Sequence, residues 1–148
     1  MHDHTSFFLD TAYIYALVNT RDQWHGAAAA WERRLATERR RLLTTEFVLL
    51  EIADGLAAVK FRVGAIRIIT APRESSLVEI VPATSDFFAA ALDLYQSRDD
   101  KDWGLTDCAS FLAMQRHGLQ TALTTDEHFR QAGFLPLLLD PPSPHPYP

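Results

Sequence analysis

The chain has 148 residues, of which 47% are hydrophobic and 22% are charged, and its formal net charge is -5. These values predict one globular domain with one core, and they argue against a protein that binds nucleic acid through its overall charge. No apolar stretch approaches the roughly 20 residues of a membrane-spanning helix, and the amino terminus lacks the features of a signal peptide. The single cysteine, Cys108, excludes an internal disulfide and fits a reducing compartment, so we expect a cytoplasmic protein.

Short apolar runs alternate with segments of helical periodicity along the chain. We predict five strands, at residues 6–9, 42–45, 77–81, 121–124 and 134–138. We predict seven helices, at residues 11–18, 25–38, 46–59, 61–70, 85–95, 105–117 and 126–131. Alternation of this kind builds right-handed βαβ units. The prediction is therefore an α/β fold with three layers, α/β/α, in which helices cover both faces of a central, mostly parallel sheet of four or five strands.

Single residues set several of the predicted boundaries. Pro72 is expected to end the helix that starts at residue 61, and Gly118 the helix that starts at residue 105. Thr106 is the predicted cap at the start of that second helix. Residues 1–139 are expected to form a single domain. Residues 140–148 contain five prolines without a period and are predicted to be an extended or disordered tail.

Two acids directly follow predicted strands. Asp10 follows the first apolar run, and Asp126 follows the fourth, after Thr124 and Thr125. If those strands are parallel neighbours, both acids lie at the same edge of the sheet, where open α/β sheets place their sites. Each acid is also a good helix N-cap, so for either acid alone the structural interpretation stays open.

Two further acids lie on predicted helices. Glu51 lies close to the apolar stripe of its helix rather than opposite it. Asp107 begins a mostly apolar helix and shares a face with Ser110, although the helix dipole alone also favours an acid there. Several carboxylates in one cleft would not all stay ionised without a cation.

The residue types in this set indicate which ion they would bind. Carboxylates without His or Cys clusters at zinc spacing favour Mg²⁺ or Mn²⁺, which can polarise a phosphoryl oxygen and lower the pKa of a water. His128 is only two residues from Asp126, but we predict that it faces solvent. There is no glycine-rich phosphate loop, so a nucleotide cofactor has no obvious cradle.

Two other features have both a functional and a structural interpretation. Basic residues cluster at 33–41 and 60–73, where they could hold a phosphate backbone or form solvated helix faces. Trp103 could stack on a base, although a role as an anchor between its loop and the core is the simpler one.

Four segments of the chain carry a family resemblance through their order and spacing. They are Phe8–Thr11, Thr45–Glu51, Asp102–Phe111 and Leu123–Phe129. Together they resemble the PIN-domain family, and within it the VapC toxin ribonucleases, over nearly the whole chain. The basic helix and the proline-rich tail are not part of the family pattern, and Thr125 stands where an Asn is common.

The resemblance implies a metal-dependent endoribonuclease that hydrolyses RNA phosphodiester bonds as the toxin of a type II toxin-antitoxin pair. The residues that match the family's acidic quartet are Asp10, Glu51, Asp107 and Asp126. This quartet is expected to bind one or two Mg²⁺ or Mn²⁺ ions, with supporting hydroxyls from Thr11, Thr124 and Ser110. Family members often form homodimers and are often silenced by a small antitoxin, so we expect both partners.

Other functions remain as alternatives. The first is a catalytically inactive PIN-like RNA-binding or scaffold protein, although all four acids are present. A dehalogenase-like phosphatase would need a second acid where the chain has Ala12. A receiver-type signalling domain would need paired acids after the first strand, where Asp10 stands alone.

Overall fold

A computed structural model describes residues 6–139 as alternating strands and helices. The strands are β1 (Phe7–Leu9), β2 (Leu42–Thr45), β3 (Val78–Val81), β4 (Thr121–Leu123) and β5 (Leu135–Pro136). The helices are α1 (Thr11–Val18), α2 (His25–Glu38), α3 (Glu46–Gly55), α4 (Arg62–Glu74), α5 (Ser85–Ser97), α6 (Leu105–His117) and α7 (Glu127–Gln131). A 3-10 turn, Val59–Phe61, precedes α4. None of the helices within residues 6–139 is long and apolar enough to cross a membrane.

All five strands join one parallel sheet in the order β3-β2-β1-β4-β5. The order reverses at β1, which has β2 on one side and β4 on the other. In the register of the second pair, Leu9 lies opposite Leu123. The residues that follow these two leucines therefore leave the sheet side by side, at the point where open α/β sheets bind their ligands.

The two faces of the sheet build two separate cores, because side chains in a strand alternate between faces. In β1, Phe8 packs with residues of α3, α5 and α6, whereas Phe7 and Leu9 pack with residues of α1 and α2. The α/β/α layering and the predominantly parallel sheet predicted from the sequence are thus confirmed.

Several predicted boundaries were wrong. Helix α3 ends at Gly55 instead of residue 59, and α4 continues through Pro72 to Glu74. Proline removes only one backbone donor, and the amide of Ser75 still closes the last turn on the carbonyl of Pro72. Gly104, and not Thr106, occupies the N-cap position of α6.

At the carboxyl-terminal end, β5 stops at Pro136. The amides of Leu137 and Leu138 nevertheless bond to the carbonyls of Ala122 and Thr124, so the chain stays attached to β4. The predicted tail at 140–148 lies outside the described residues.

One aromatic cluster holds α6 against the sheet. Phe111 is 1% exposed, and its ring centroid lies 4.9 Å from that of Trp103, 5.0 Å from that of Phe129 and 5.8 Å from that of Phe134. These rings tie α6, its preceding loop and α7 into one unit.

We predict that Phe111→Ala lowers the free energy of unfolding by about 3–5 kcal/mol, because it empties a fully packed position. Urea denaturation measures the change. Tyr95→Ala, at a side chain that is 47% exposed, is the control and should change stability by under about 1 kcal/mol. Equal losses in both variants would contradict this account of the core.

A close approach at the end of α3 requires a residue without a side chain. The hydroxyl of Tyr15 donates a hydrogen bond of 3.0 Å to the carbonyl of Glu51. A Cβ placed on Gly55 would lie 1.7 Å from the same hydroxyl oxygen, whereas a Cβ on Gly64 would meet nothing within 4 Å.

We therefore predict opposite effects for two chemically identical substitutions. Gly55→Ala should displace the Tyr15 ring and cost about 1 kcal/mol through the lost hydrogen bond. Gly64→Ala in α4 should stabilise by about 0.5–1 kcal/mol through reduced backbone entropy of the unfolded chain. Urea denaturation of the two variants should give shifts of opposite sign, and shifts of the same sign would contradict the role of Gly55.

Candidate active site

Asp10 is a buried carboxylate at the end of β1. It is 5% exposed, and its Oδ2 accepts a 2.7 Å hydrogen bond from the hydroxyl of Thr124, which follows β4. Asp10 occupies the N-cap position of α1, but its side chain makes no capping bond to that helix. Capping does not account for this acid.

The charge on Asp10 is costly in this environment. Burial, with a smaller contribution from the charges of Asp107 and Glu51, raises the pKa of Asp10 from the ordinary 3.8 to about 7. The hydrogen bond from Thr124 opposes the shift without cancelling it. Near neutral pH the metal-free carboxyl is therefore only partly ionised.

Thr124 links Asp10, at the end of β1, to Asp126, at the start of α7. It is fully buried, and besides its bond to Asp10 its hydroxyl oxygen accepts the amide of Asp126 at 3.0 Å. Asp126 in turn caps α7, since its Oδ1 accepts the amide of His128 at 2.9 Å. The capping interpretation therefore applies to Asp126, whose half-buried carboxylate also faces other groups of the site.

His128 bridges two of the acids, and the prediction that it faces solvent was wrong. Its Nδ1 lies 3.0 Å from Oδ2 of Asp107 and 3.4 Å from Oδ1 of Asp126. The three side chains present ligand atoms within 4.8 Å of one another, an arrangement that could hold a metal ion. The sequence did contain a signal for this position of His128. If Asp126 is the N-cap of α7, residue 128 must lie in the first turn of that helix, beside the Asp126 carboxylate.

Asp107 stands in the first turn of α6. Its Oδ2 also accepts the amide of Gly104 at 3.1 Å, which orients the carboxylate. Burial raises the pKa of Asp107, the hydrogen bond with His128 lowers it, and the charge of Asp126 raises it further. For His128 burial lowers the pKa, but the bond to Asp107 and the charges of Asp126 and Asp107 produce a net increase.

Glu51 approaches from the other side of β1. The β2 strand ends at Thr45, whose hydroxyl caps α3 by accepting the amide of Val48 at 3.1 Å, and Glu51 follows in the next turn. Its side chain is exposed, and its charge contributes to the raised pKa values of Asp10 and Tyr15. The four predicted acids thus form a chain of interacting charges, with Asp10 buried and Glu51 at the rim.

Among the described residues, the hydroxyls of Ser110 and Thr11 make no hydrogen bond to the four acids, although the backbone of Thr11 bonds to Asp10. Ser110 is buried and donates a 3.0 Å hydrogen bond to the carbonyl of Thr106 in its own helix. A serine inside a helix often donates its hydroxyl to the carbonyl four residues earlier, as Ser110 does here. The buried hydroxyl oxygen of Thr11 has no hydrogen-bond partner among the described residues.

Trp103 and part of the first basic cluster have structural roles. Trp103 is 6% exposed, packs edge-on against Phe111 and donates a 3.0 Å hydrogen bond to Gln131, which supports the simpler of its two interpretations, that of an anchor between its loop and the core. In the first basic cluster, Arg34 and Arg40 pair with Glu38 at the end of α2. That end leads into the start of β2, at the edge of the sheet opposite the acids.

This donor set fits a hard divalent cation. Asp107, Asp126 and His128 offer two carboxylates and one imidazole nitrogen within 4.8 Å of one another. Asp10 and Glu51 are not members of this group of three, but the charges of Asp107 and Glu51 act on the buried carboxylate of Asp10. A cation placed among these groups would offset both the burial of Asp10 and its repulsion from Asp107. Oxygen-rich sites of this composition favour Mg²⁺ or Mn²⁺.

The solved structures similar to this chain share its arrangement of elements. The crystal structure of VapC20 from Mycobacterium tuberculosis, described as a Sarcin-Ricin loop cleaving toxin, aligns with a TM-score of 0.74 and 28% identity, over 87% of this chain and 96% of that one. VapBC2 from Rickettsia felis, bound to a fragment of promoter DNA, aligns with a TM-score of 0.61 over 88% of this chain and 96% of that one. Its 16% identity supports the fold alone.

Sequence comparison identifies the family. The 23S rRNA-specific endonuclease VapC20 of M. tuberculosis is 29% identical over 131 residues, which cover 86% of this chain and 95% of that protein. The family model of the PIN domain matches residues 7–135, and the match includes all four acids. The chain therefore belongs to the PIN domain family.

Proposed function

We propose that this protein is a metal-dependent endoribonuclease and acts as the toxin of a type II toxin-antitoxin pair. The observation that carries the proposal is the buried carboxylate of Asp10, whose charge interacts with those of Asp107 and Glu51. A fold does not retain such a cluster for stability, because each ionised member raises the cost of the others. Similarity to VapC20, a 23S rRNA-specific endonuclease, supports RNA as the substrate.

In this proposal the ion is Mg²⁺ or Mn²⁺. The groups that would hold it are the carboxylates of Asp10, Glu51, Asp107 and Asp126, with His128 beside the last two. When bound, the cation supplies Lewis acidity for the phosphoryl oxygens and lowers the pKa of a coordinated water.

The side chains around the carboxylates position them. Thr124 fixes one oxygen of Asp10 and the backbone of Asp126 at the same time. His128 holds Asp107 and Asp126 at a short separation, so neither carboxylate has to be ordered when substrate arrives. Glu51, which is exposed, would complete the set of ligands or orient the water that attacks the phosphorus.

The partners follow from the same proposal. The substrate is cytoplasmic RNA, and 23S rRNA is the first molecule to test, because it is the substrate named for VapC20. A small antitoxin silences the enzyme, and the active protein is a homodimer, as the resemblance to VapC toxins implies.

We predict that Asp10→Asn and Asp107→Asn each lower RNA cleavage by more than about 100-fold, the effect of removing a group that stabilises transition-state charge. The assay is incubation with total RNA in Mn²⁺ and in EDTA. Asp93→Asn, at an exposed carboxylate of α5, is the control and should cleave like the wild type. Circular dichroism should give the same helical signal for all three variants.

Calorimetric titration with Mn²⁺ separates this function from an inactive scaffold. The wild type should bind the ion, and Asp10→Asn should bind it more weakly. A wild-type protein that neither binds Mn²⁺ nor cleaves RNA would contradict the nuclease and favour the PIN-like scaffold.

The metal-free protein should lose stability as pH rises. The folded-state pKa of Asp10, about 7, exceeds the ordinary 3.8, so folding is favoured while the group is protonated and is penalised as pH rises through the folded value. The full penalty is on the order of 4 kcal/mol. We predict that in EDTA Asp10→Asn matches the wild type near pH 4 and is more stable near pH 8.

Urea denaturation across this pH range makes the measurement. Asp93→Asn should follow the wild-type curve, and adding Mn²⁺ should reduce the advantage of Asp10→Asn at high pH. Parallel curves for the wild type and Asp10→Asn would show that burial does not raise the pKa of this group.

A further inference from the structure

A basic cleft lies at the edge of the sheet away from the acids. Its volume is about 680 Å³. Ser6 lies before β1, Arg41 before β2 and Ser76 before β3, and all three line the cleft. Because β1, β2 and β3 are parallel, their amino ends meet at one edge of the sheet, whereas the acid cluster lies at the carboxyl ends. Arg116 and His117, in the last turn of α6, also line the cleft.

Backbone hydrogen bonds hold the walls of the basic cleft in place. The amide of Phe7 bonds to the carbonyl of Arg41 at 3.2 Å, and the amide of Leu42 bonds to the carbonyl of Leu77 at 2.9 Å. The hydroxyl of Ser75 accepts the amide of Leu77 at 3.1 Å, which fixes the loop before β3. A ligand would therefore meet side chains that stand on an ordered backbone.

The accessible surface of the basic cleft is polar. Its apolar lining residues are buried or half-buried, and they are Leu42, Leu43, Leu77, Val78 and Leu119. The exposed lining residues are Arg41, Ser76, Glu79 and Arg116. None of the large exposed apolar side chains within residues 6–139 lines this cleft. A partner that binds through apolar contacts therefore finds few here, whereas an anion meets two guanidinium groups.

The single acid among the described lining residues is Glu79, and it faces an imidazole. Nε2 of His117 lies 3.3 Å from Oε1 of Glu79, and Nδ1 of the same ring lies 2.9 Å from the carbonyl of Ala113. The guanidinium carbon of Arg116 lies 5.6 Å from the centroid of the Phe87 ring, which supports the stem of this arginine. The lining thus carries two arginine charges and one carboxylate, and that carboxylate lies against His117.

Helix α6 connects the basic cleft to the acid cluster. Asp107 lies in its first turn and Arg116 in its last, nine positions later, which is about 14 Å along the axis at a rise of about 1.5 Å per residue. The helix dipole alone favours a cation at this end of α6. The dipole does not explain why Arg41, from a different element, lines the same cleft. The two edges of the sheet therefore carry opposite charges at a separation that an RNA backbone can span.

We propose that the basic cleft binds a phosphate of folded RNA at a distance from the bond that is cut. Arg41 and Arg116 contact the phosphate oxygens, with the hydroxyls of Ser6 and Ser76 as further donors. Arg39, exposed between α2 and β2, extends the basic surface beyond the cleft, which suits a polymer better than a single small anion. The inference rests on the proposed nuclease function and adds to it a substrate class, because folded RNA presents phosphates to both edges at once.

Binding of a fluorescently labelled stem-loop RNA to the full chain tests the proposal. Fluorescence anisotropy in EDTA measures affinity without cleavage. Arg41→Gln and Arg116→Gln should each weaken binding by ~10-fold, the scale of one hydrogen bond to a charged group. Each should also lower the slope of log K against log salt by about 0.7–0.9, the value for one phosphate contact. Both side chains are exposed, so urea denaturation should give wild-type midpoints.

A variant of opposite sign separates the basic cleft from a general loss of binding. Glu79→Gln removes the carboxylate of the cleft and should strengthen binding of the stem-loop by about 3-fold. The matched controls are Arg67→Gln, at an exposed arginine of α4, and Asp93→Asn, at an exposed carboxylate of α5. Both should bind the stem-loop with wild-type affinity. A labelled mononucleotide should bind far more weakly than the stem-loop.

Cleavage in Mn²⁺ gives a second measurement. Arg41→Gln and Arg116→Gln should raise KM for the stem-loop by ~10-fold, by the same lost contact, and leave kcat unchanged. Both should cleave like the wild type a strand that is too short to reach from the acids to the basic cleft.

The outcomes distinguish this inference from the proposed function. Wild-type affinity in both arginine variants, an equal loss in Arg67→Gln, or a mononucleotide that binds as tightly as the stem-loop would overturn the RNA site, even if Mn²⁺-dependent cleavage is present. Weakening in the two arginine variants together with strengthening in Glu79→Gln would support the RNA site whether or not cleavage is detected. Absence of Mn²⁺ binding and of cleavage in wild-type protein would contradict the nuclease itself.

Discussion

The hydrogen bond from Thr124 to Asp10 is the interaction on which the site depends. It joins the carboxyl ends of β1 and β4, and it is buried, so water cannot replace it. The parallel register that sets Leu9 beside Leu123 brings these two residues together. A shift of one residue would exchange the faces of β1 and send Phe8 toward the wrong core, so packing of the two cores also fixes the site.

The four acids of the site stay close together despite their mutual repulsion, because hydrogen bonds hold two of them in place. Asp107 is held by the amide of Gly104, Asp126 by its role as a cap, and both by His128. The amides of Gly104 and His128 orient these carboxylates, and each amide lies at the start of a helix. The aromatic cluster around Phe111 keeps α6 and α7 rigid behind them. Repulsion among the acids is thus balanced by packing energy at a distance from the acids.

The sequence predicted the parts of this structure that depend on local pattern. Buried strands followed by an acid were visible at Asp10 and Asp126, since periodicity and strand ends are local signals. His128 was missed because its position depends on the geometry of the Asp126 cap and on α6, which arrives from elsewhere in the chain. The bond of Ser110 to the carbonyl of Thr106 was not foreseen, because a shared helix face does not reveal that a serine bonds within its own helix.

The order of the strands has a consequence for synthesis of the protein. The central strand β1 emerges first, but its neighbour β4 emerges after three other strands, and the bond between Asp10 and Thr124 spans 114 positions. Contacts of such separation slow folding, because the chain loses loop-closure entropy before it gains them. A nascent chain on the ribosome therefore carries Asp10 without its partner until Thr124 has emerged, and the carboxylate cluster cannot assemble before that point.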